Sequence, residues 1–259
     1  MITLSYENCH IHESAQIGEN VVIGPFTVIG PNVIIGDNTK IGSNVVIKEN
    51  TTLGKNNTIH PFASIGGDPQ VINYSNKGSF LEIGDNNTFH ENVTINRGDV
   101  SGNNLTKIGN NNLFMACVHV AHDCIVHNNT ILVNNSVLAG HVILEDYAVV
   151  GANCGIHQFC RVGKHSFLAR FVPIVKDVLP YTMIAGSPTK VMGVNKTGLA
   201  RRGYTKEQIR DIMRCYKIIF RENLTTDEAI AKMKSEISQQ NVVAELAGFL
   251  SNSSRGIVR

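Results

Sequence analysis

Aliphatic and aromatic residues recur every six positions along most of the chain. One phase runs through Ile11, Ile17, Ile23, Ile29, Ile35, Ile41, Ile47, Leu53, Ile59 and Ile65, and resumes at Ile83, Phe89 and Ile95. It slips by one residue and continues from Ile108 through Phe114, Val120, Val126, Leu132, Leu138, Leu144, Val150, Ile156, Val162 and Leu168 to Ile174, giving 25 hexads in all. Counting that residue as position one, position two is glycine in seven of the first ten hexads and position four is asparagine in six of them. Both residue types tolerate left-handed backbone, so each hexad reads as a short strand ending in a corner. Position five is small or β-branched (Ala15, Val21, Thr27, Val33, Val45, Ala63) and shares the inward face with position one. A six-residue period is incompatible with an amphipathic helix, whose apolar face returns every 3.6 residues. Stacked short strands satisfy it, with three hexads forming one triangular coil of a solenoid.

Two stretches leave the period, near 67–82 and 97–107, and such expelled loops are usual carriers of function. The repeat stops after Pro180. Thr205 with Gln208 and Thr225 with Glu228 are capping boxes. They precede helical stripes at Ile209, Ile212, Met213, Tyr216, Ile219 and Phe220, and at Ile230, Met233 and Ile237; Val243, Leu246, Phe249 and Leu250 predict a third helix. The expected organisation is therefore a parallel β-helix over 1–187 and a C-terminal helical domain over 188–259. The helices would also cap the solenoid.

Charge alters this picture only at the C-terminal end. The formal net charge of +2 over 259 residues argues against a nucleic-acid binder working by bulk charge. Residues 1–195 carry a net of −3 and residues 196–259 a net of +5, which suggests an anionic partner for the helical region. Arg210, Arg214, Lys217 and Arg221 are candidates for that contact by spacing, and a solvated helical face fits them equally. No apolar run reaches the ~18 residues of a transmembrane helix, and the N-terminus has no basic segment followed by an apolar one. A cytoplasmic location is the expectation.

The repeat register sorts the reactive side chains. Cys9, Cys124, Cys154 and Cys160 all occupy position five and read as buried small residues rather than zinc ligands or disulfides. None of the ten histidines falls on an inward position. His12, His60, His90, His127 and His157 share position two, where a common structural role is the default. His119 and His122 are close in sequence, and His141 follows 19 residues after His122, about one coil along. These three can share a surface patch, with Asp123 available to orient His122, an arrangement suited to general-base chemistry near neutral pH. Ordinary surface histidines fit the register equally well.

The hexad pattern resembles the hexapeptide-repeat acyltransferases, whose fold is a left-handed parallel β-helix. More narrowly, LTKIGNNNLFMACVHVAHDCIVHNN, LAGH at 138–141, IHQF at 156–159, GVNKTGLARRG at 193–203 and SSRGI at 253–257 are similar to the UDP-N-acetylglucosamine O-acyltransferases, and the likeness runs nearly end to end. Those enzymes perform the first acylation of lipid A biosynthesis. The resemblance implies transfer of a (3R)-3-hydroxyacyl group from acyl carrier protein to the glucosamine 3-position of UDP-N-acetylglucosamine. No metal or other cofactor is implied. By matched position, it implies His122 as general base, Asp123 as its orienting acid and the Gly140 N–H as oxyanion donor. His119, His141, His157, Gln158 and Gln70 would hold sugar or acyl chain, and Asn195, Arg201 and Arg202 the nucleotide. It also implies homotrimers with sites between neighbouring solenoids.

Several positions depart from the family pattern. Val71 and Asn73 stand where the first loop usually carries Asp and Lys, Thr197 where Glu is typical, and Pro188 where His is. Arg170 occupies the acyl-ruler position, often small or Met, which suggests a shorter acyl chain. These differences leave open an acceptor bearing a 3-amino group, another nucleotide sugar, or a binding paralogue without catalysis. A zinc lyase of the γ-carbonic anhydrase class, using His90, His122 and His127, is a remote alternative on the same solenoid.

Overall fold

A computed structural model describes residues 8–72, 74 and 78–259. Residues 8–178 wind into a left-handed parallel β-helix with three faces. Its strands, mostly two residues long, stack into a nine-stranded first sheet, an eight-stranded second sheet and a third sheet to which the solenoid gives eight strands and the chain beyond it two more. Consecutive strands step from face to face, and a strand pairs with the one three elements later, as Ile125–Val126 pairs with Ile143–Leu144.

Position one of the hexads forms the axis of the core: Ile29, Ile47, Ile65, Phe89, Phe114, Leu138 and Leu168 are fully buried. Position five fills the space beside it with Val33, Val45, Val118, Cys124, Val142 and Cys160. A large and a small residue therefore alternate around every coil, which fills the narrow prism without voids. On the edge between the second and third sheets, position five is mostly polar, with Val21 and Ala148 the apolar exceptions. Asn57, Asn87 and Asn112 are buried there, and each accepts from the backbone N–H one coil on, ending at Thr130. Those bonds compensate for placing amides inside the solenoid.

Position four makes the turn. Asn20, Asn32, Asn38, Asn44, Asn50 and Asn56 all have φ between 55° and 59°. Further along, the same left-handed corner is taken by Asp123 (φ 59°), His141 (61°), Tyr147 (62°), Phe159 (64°) and His165 (55°). Side chains at these corners point away from the coil and stack along its edges.

Both expelled loops are tied to one buried cation. Arg97 is fully buried; its guanidinium pairs with the Glu49 carboxylate at 2.9 Å, donates to the Glu49 carbonyl at 3.1 Å and pairs with Asp68. Its backbone N–H donates to Gly67 O at 2.9 Å, where the first loop leaves, and Gly98 N–H donates to Phe80 O at 3.0 Å, where that loop returns. The loops leave a continuous ladder at a single fixed point.

The repeat does not give way directly to helices. Strands Thr182–Ala185 and Lys190–Val194 form an antiparallel hairpin that adds to the end of the third sheet. The expected boundary at 187/188 falls in the turn of this hairpin, and the first helix starts at 196. Helices α1 (Lys196–Arg201), α2 (Lys206–Arg221), α3 (Thr226–Glu236) and α4 (Gln240–Ser251) follow. Both capping boxes form as the sequence indicates: Thr205 with Gln208 opens α2, and Thr225 with Glu228 opens α3. Leu199, Ile212, Ile219, Met233, Leu246 and Phe249 make a second core that also covers Leu179 and Tyr181 at the end of the solenoid. Among the described residues, no helix is long and apolar enough to cross a membrane.

Candidate functional site

The eighteen-residue coil decides which side chains meet. On the edge between the first and second sheets, position three carries His122, Gly140 and Gln158 in successive coils, and position four carries Asp123, His141 and Phe159. These two adjacent columns make the site. The His122 and His141 rings meet edge to face at 5.3 Å, and Phe159 stacks on His141 at 4.5 Å. Phe159 was not anticipated from sequence, although its place eighteen residues after His141 carried the signal.

Asp123 is fixed from three sides. Its carboxylate accepts from His122 Nδ1 at 2.7 Å, from the Asp99 N–H at 3.0 Å and from the Asn103 N–H at 2.8 Å. Its own N–H donates to Thr106 Oγ1 at 2.8 Å, and its side chain is fully buried. Two of these donors come from the loop that starts at Arg97, so that loop wraps the acid and shields it from water. Because a carboxylate only accepts, Nδ1 of His122 carries the proton and Nε2 keeps the lone pair. His122 is 16% exposed, enough for Nε2 to reach a bound molecule.

Gly140 lies directly beneath that ring. A Cβ built on it would meet His122 Cε1 and Nε2 at 2.7 Å, so the close approach requires glycine. The Gly140 backbone thus lies against the His122 ring, with its N–H not engaged by a protein acceptor among the described residues.

His119 is set back on the strand before the corner. Its Nδ1 is 2.8 Å from Thr94 Oγ1, and burial pushes its pKa down. It belongs to an outward ladder on the first sheet, running Thr94, His119, Val137, Gly155 and Pro173. His157 and Gln158 lie exposed at the same edge one coil beyond Gly140, with His157 Nδ1 3.1 Å from Gln158 O. Gln70 is exposed on the first loop. Val71 follows it partly buried, while Asn73 lies outside the described residues. Arg170 is exposed at the corner that leads into the Pro173 end of the His119 ladder. His90, His122 and His127 sit on three different edges, so one chain does not gather the zinc-lyase set.

Asn195, Arg201 and Arg202 do not join His122 within the chain. They line a groove of about 650 Å³ on the third sheet, whose floor is the outward ladder Ile131, Val149, Phe167 and Met183. Thr197 lines it as well. His165 underpins this groove. Its carbonyl accepts from Asn195 Nδ2 at 2.9 Å, its ring stacks on Tyr147 at 4.8 Å, and the Arg202 guanidinium sits over that same Tyr147 ring with Cζ 4.3 Å from the centroid. Tyr181 stacks at 5.8 Å and Tyr204 Oη lies 3.1 Å from Nε2. The register places His165 at an outward corner; Tyr147 from the solenoid, Tyr181 at its end and Tyr204 from the helical region together bury it.

Burial, with Arg202 and Lys164 adding to it, pushes the His165 imidazole down to about 4. The unfolded chain, titrating near 6.5, binds more protons between those values, so stability rises with pH across the window. It is fully present above about 6.5 and falls as pH drops toward 4, by roughly 3 kcal/mol if this group acts alone. His165→Phe should flatten the pH dependence of Tm between pH 4.5 and 6.5 relative to the parent, as followed by circular dichroism. An unchanged slope would place the proton uptake elsewhere.

Comparison with known proteins places this geometry. The family profile described as UDP N-acetylglucosamine O-acyltransferase, domain 2, matches residues 177–258, and the bacterial transferase hexapeptide profile matches 14–49, 32–67 and 105–140. An acyl-[acyl-carrier-protein]–UDP-N-acetylglucosamine O-acyltransferase from Thiobacillus denitrificans is 47% identical over 245 residues, covering 95% of each chain. The Janthinobacterium sp. protein of the same name is 44% identical across 100% of both. Among solved structures, the UDP-N-acetylglucosamine O-acyltransferase of Moraxella catarrhalis superposes with a TM-score of 0.95 at 40% identity, covering 98% of each chain. The Arabidopsis UDP-N-acetylglucosamine acyltransferase still reaches 0.85 at 29%, over 98% of this chain and 99% of its own. With its paired histidine columns, its hexad solenoid and these relatives along its whole length, the chain belongs to the UDP-N-acetylglucosamine O-acyltransferase family.

Proposed function

We propose that this protein transfers a (3R)-3-hydroxyacyl group from acyl carrier protein to the 3-position of UDP-N-acetylglucosamine, the first acylation of lipid A biosynthesis. The observation that carries the reading is the His122–Asp123 pair, with the Gly140 backbone close beneath the His122 ring. His122 Nε2 takes the proton of the sugar 3-hydroxyl as its oxygen attacks the thioester carbonyl. The tetrahedral oxyanion receives the Gly140 N–H, a donor already aimed and costing no reorganisation. Collapse breaks the C–S bond, and the departing thiolate recovers the proton from Nε2. Asp123 stabilises the imidazolium between those two transfers. The thioester is already activated, so no cofactor enters the scheme.

Gln70, His119, His141, His157 and Gln158 surround the reacting end as binding residues, while Asn195, Arg201 and Arg202 bind the nucleotide. A guanidinium pair suits a diphosphate. His122 and Arg202 stand on different edges of the prism, which supports a complete site built from two neighbouring chains of a homotrimer. The exposed Arg210, Arg214, Lys217 and Arg221 on α2 suit docking of the acidic carrier protein. The setting for this chemistry is the cytoplasm.

The acyl chain extends along the outward ladder from His119 toward Pro173, and Arg170 closes it three coils on, roughly 14 Å away at the ~4.8 Å strand spacing. Incubation with UDP-N-acetylglucosamine or its 3-amino analogue and 3-hydroxyacyl carrier proteins of graded length, followed by mass spectrometry, tests the function. A 3-O-acylated nucleotide sugar supports it; product only from the amino sugar would revise the acceptor, and no product from either would refute transfer. Arg170→Gly should shift the preferred chain to greater length, and an unchanged preference would remove Arg170 as the ruler.

A further inference from the structure

Five histidines share position two of the hexad, and the acyl-transfer scheme uses only His157. Two of the remaining four meet. His60 follows strand Thr58–Ile59 and His90 follows strand Thr88–Phe89, paired neighbours on the third sheet, so both stand on the edge between the third and first sheets. They are 30 residues apart in sequence yet one coil apart in space, because the first expelled loop lies between them. Their rings stack face to face, with centroids 4.4 Å apart and planes 9° from parallel.

Glu91 lies against both. Its Oε1 is 3.5 Å from His60 Nδ1 and its Oε2 is 3.5 Å from His90 Nδ1. The Glu91 carboxyl is held below its ordinary range by its own backbone N–H, with the two imidazoles adding to that. A separation of 3.5 Å is long for a hydrogen bond. It is close to the distance between two ligand atoms around one tetrahedral ion with bonds of about 2.0–2.1 Å, roughly 3.4 Å. One donor atom from each of the three residues lies within 4.8 Å of the others, and the stacked rings must swing out of parallel for both nitrogens to point at one ion.

We propose that His60, His90 and Glu91 bind a divalent transition ion of the zinc class. Two imidazoles and one carboxylate select zinc, cobalt, nickel or copper over magnesium and calcium, which prefer all-oxygen shells. The histidine side chains are 34% and 36% exposed, so the ion enters from solvent and keeps water in its fourth position. The ion would fasten together the two coils that flank the first loop, adding a cross-link where that loop interrupts the solenoid. A second group, His122, Asp123 and His141, also brings three donors within 4.8 Å, but its carboxylate is already engaged by His122 and two backbone N–H groups. The inference does not rest on acyl transfer.

Cobalt titration of the untagged, chelator-treated full-length protein tests it, with visible absorption reporting tetrahedral binding and zinc used as competitor. One Co²⁺ per chain is expected, displaced by zinc, with His60→Ala and His90→Ala each weakening it by about tenfold or more. His122→Ala should leave the band in place. Zinc should raise Tm of the parent and not of His90→Ala, which also confirms that the variant folds. Absence of a band in the parent, its persistence in both His60→Ala and His90→Ala, or its loss in His122→Ala would each overturn the assignment.

Discussion

His122→Ala should lower kcat by about a thousand-fold, near 4 kcal/mol of barrier, with little change in Tm. The size follows from what the ring alone supplies. Nε2 is the only basic nitrogen of the dyad that faces the reacting space, since Nδ1 is committed to Asp123 at 2.7 Å. The small stability effect follows from the other donors to that acid: the Asp99 and Asn103 N–H groups stay in place when the imidazole goes. Deletion therefore leaves the buried carboxylate satisfied and the loop folded. KM for the nucleotide sugar should change far less than kcat, because Asn195, Arg201 and Arg202 line a separate groove on the third sheet. Steady-state kinetics with the carrier-protein substrate would decide it; a variant within tenfold of the parent would mean that another group takes the proton.

Gly140→Ala should cost about a hundred-fold in kcat while shifting Tm by only a few degrees, since one oxyanion donor is worth 10²–10³. Gly140 does not use left-handed backbone, so alanine fits the main chain. The added methyl would stand 2.7 Å from His122 Cε1 and Nε2, and the ring must move away. That displacement lengthens the bond to Asp123 and turns the lone pair from the hydroxyl, while the methyl crowds the approach to the N–H. Solvent beyond His122 gives the ring room, so the fold loses little. Equal losses in activity and stability would instead assign Gly140 a packing role.

The solenoid was legible because its signal is redundant: the same residue types return at positions one, four and five in coil after coil, and each is required by a repeated backbone geometry. The capping boxes were readable for a similar reason, being local hydrogen-bond patterns. The two columns that carry His122 and His141 were half legible. Placing His122 at position three and His141 at position four was correct, but the stacking partners of each follow from counting eighteen, which also yields Gly140, Gln158 and Phe159. The shielding of Asp123 by Asp99 and Asn103 was not readable, since nothing in residues 97–107 fixes where an expelled loop folds back. The hairpin after Pro180 was missed because Thr182–Ala185 and Lys190–Val194 are antiparallel and carry no six-residue period. Burial of His165 depends on Tyr181 and Tyr204, which arrive from outside the repeat.

Eighteen residues to the coil also constrain how such a gene can change in length. Loss of six codons between Asp123 and Leu138 would advance every later residue by one face, carrying Gly140 to a different edge from His122 while the hydrophobic core stayed in phase. The protein would fold and be inert. Loss of the eighteen residues 124–141 would restore the phase but remove Gly140 and bring Gln158 beneath the imidazole. Within the solenoid, length can change without shifting register at the two segments that leave it beside Arg97.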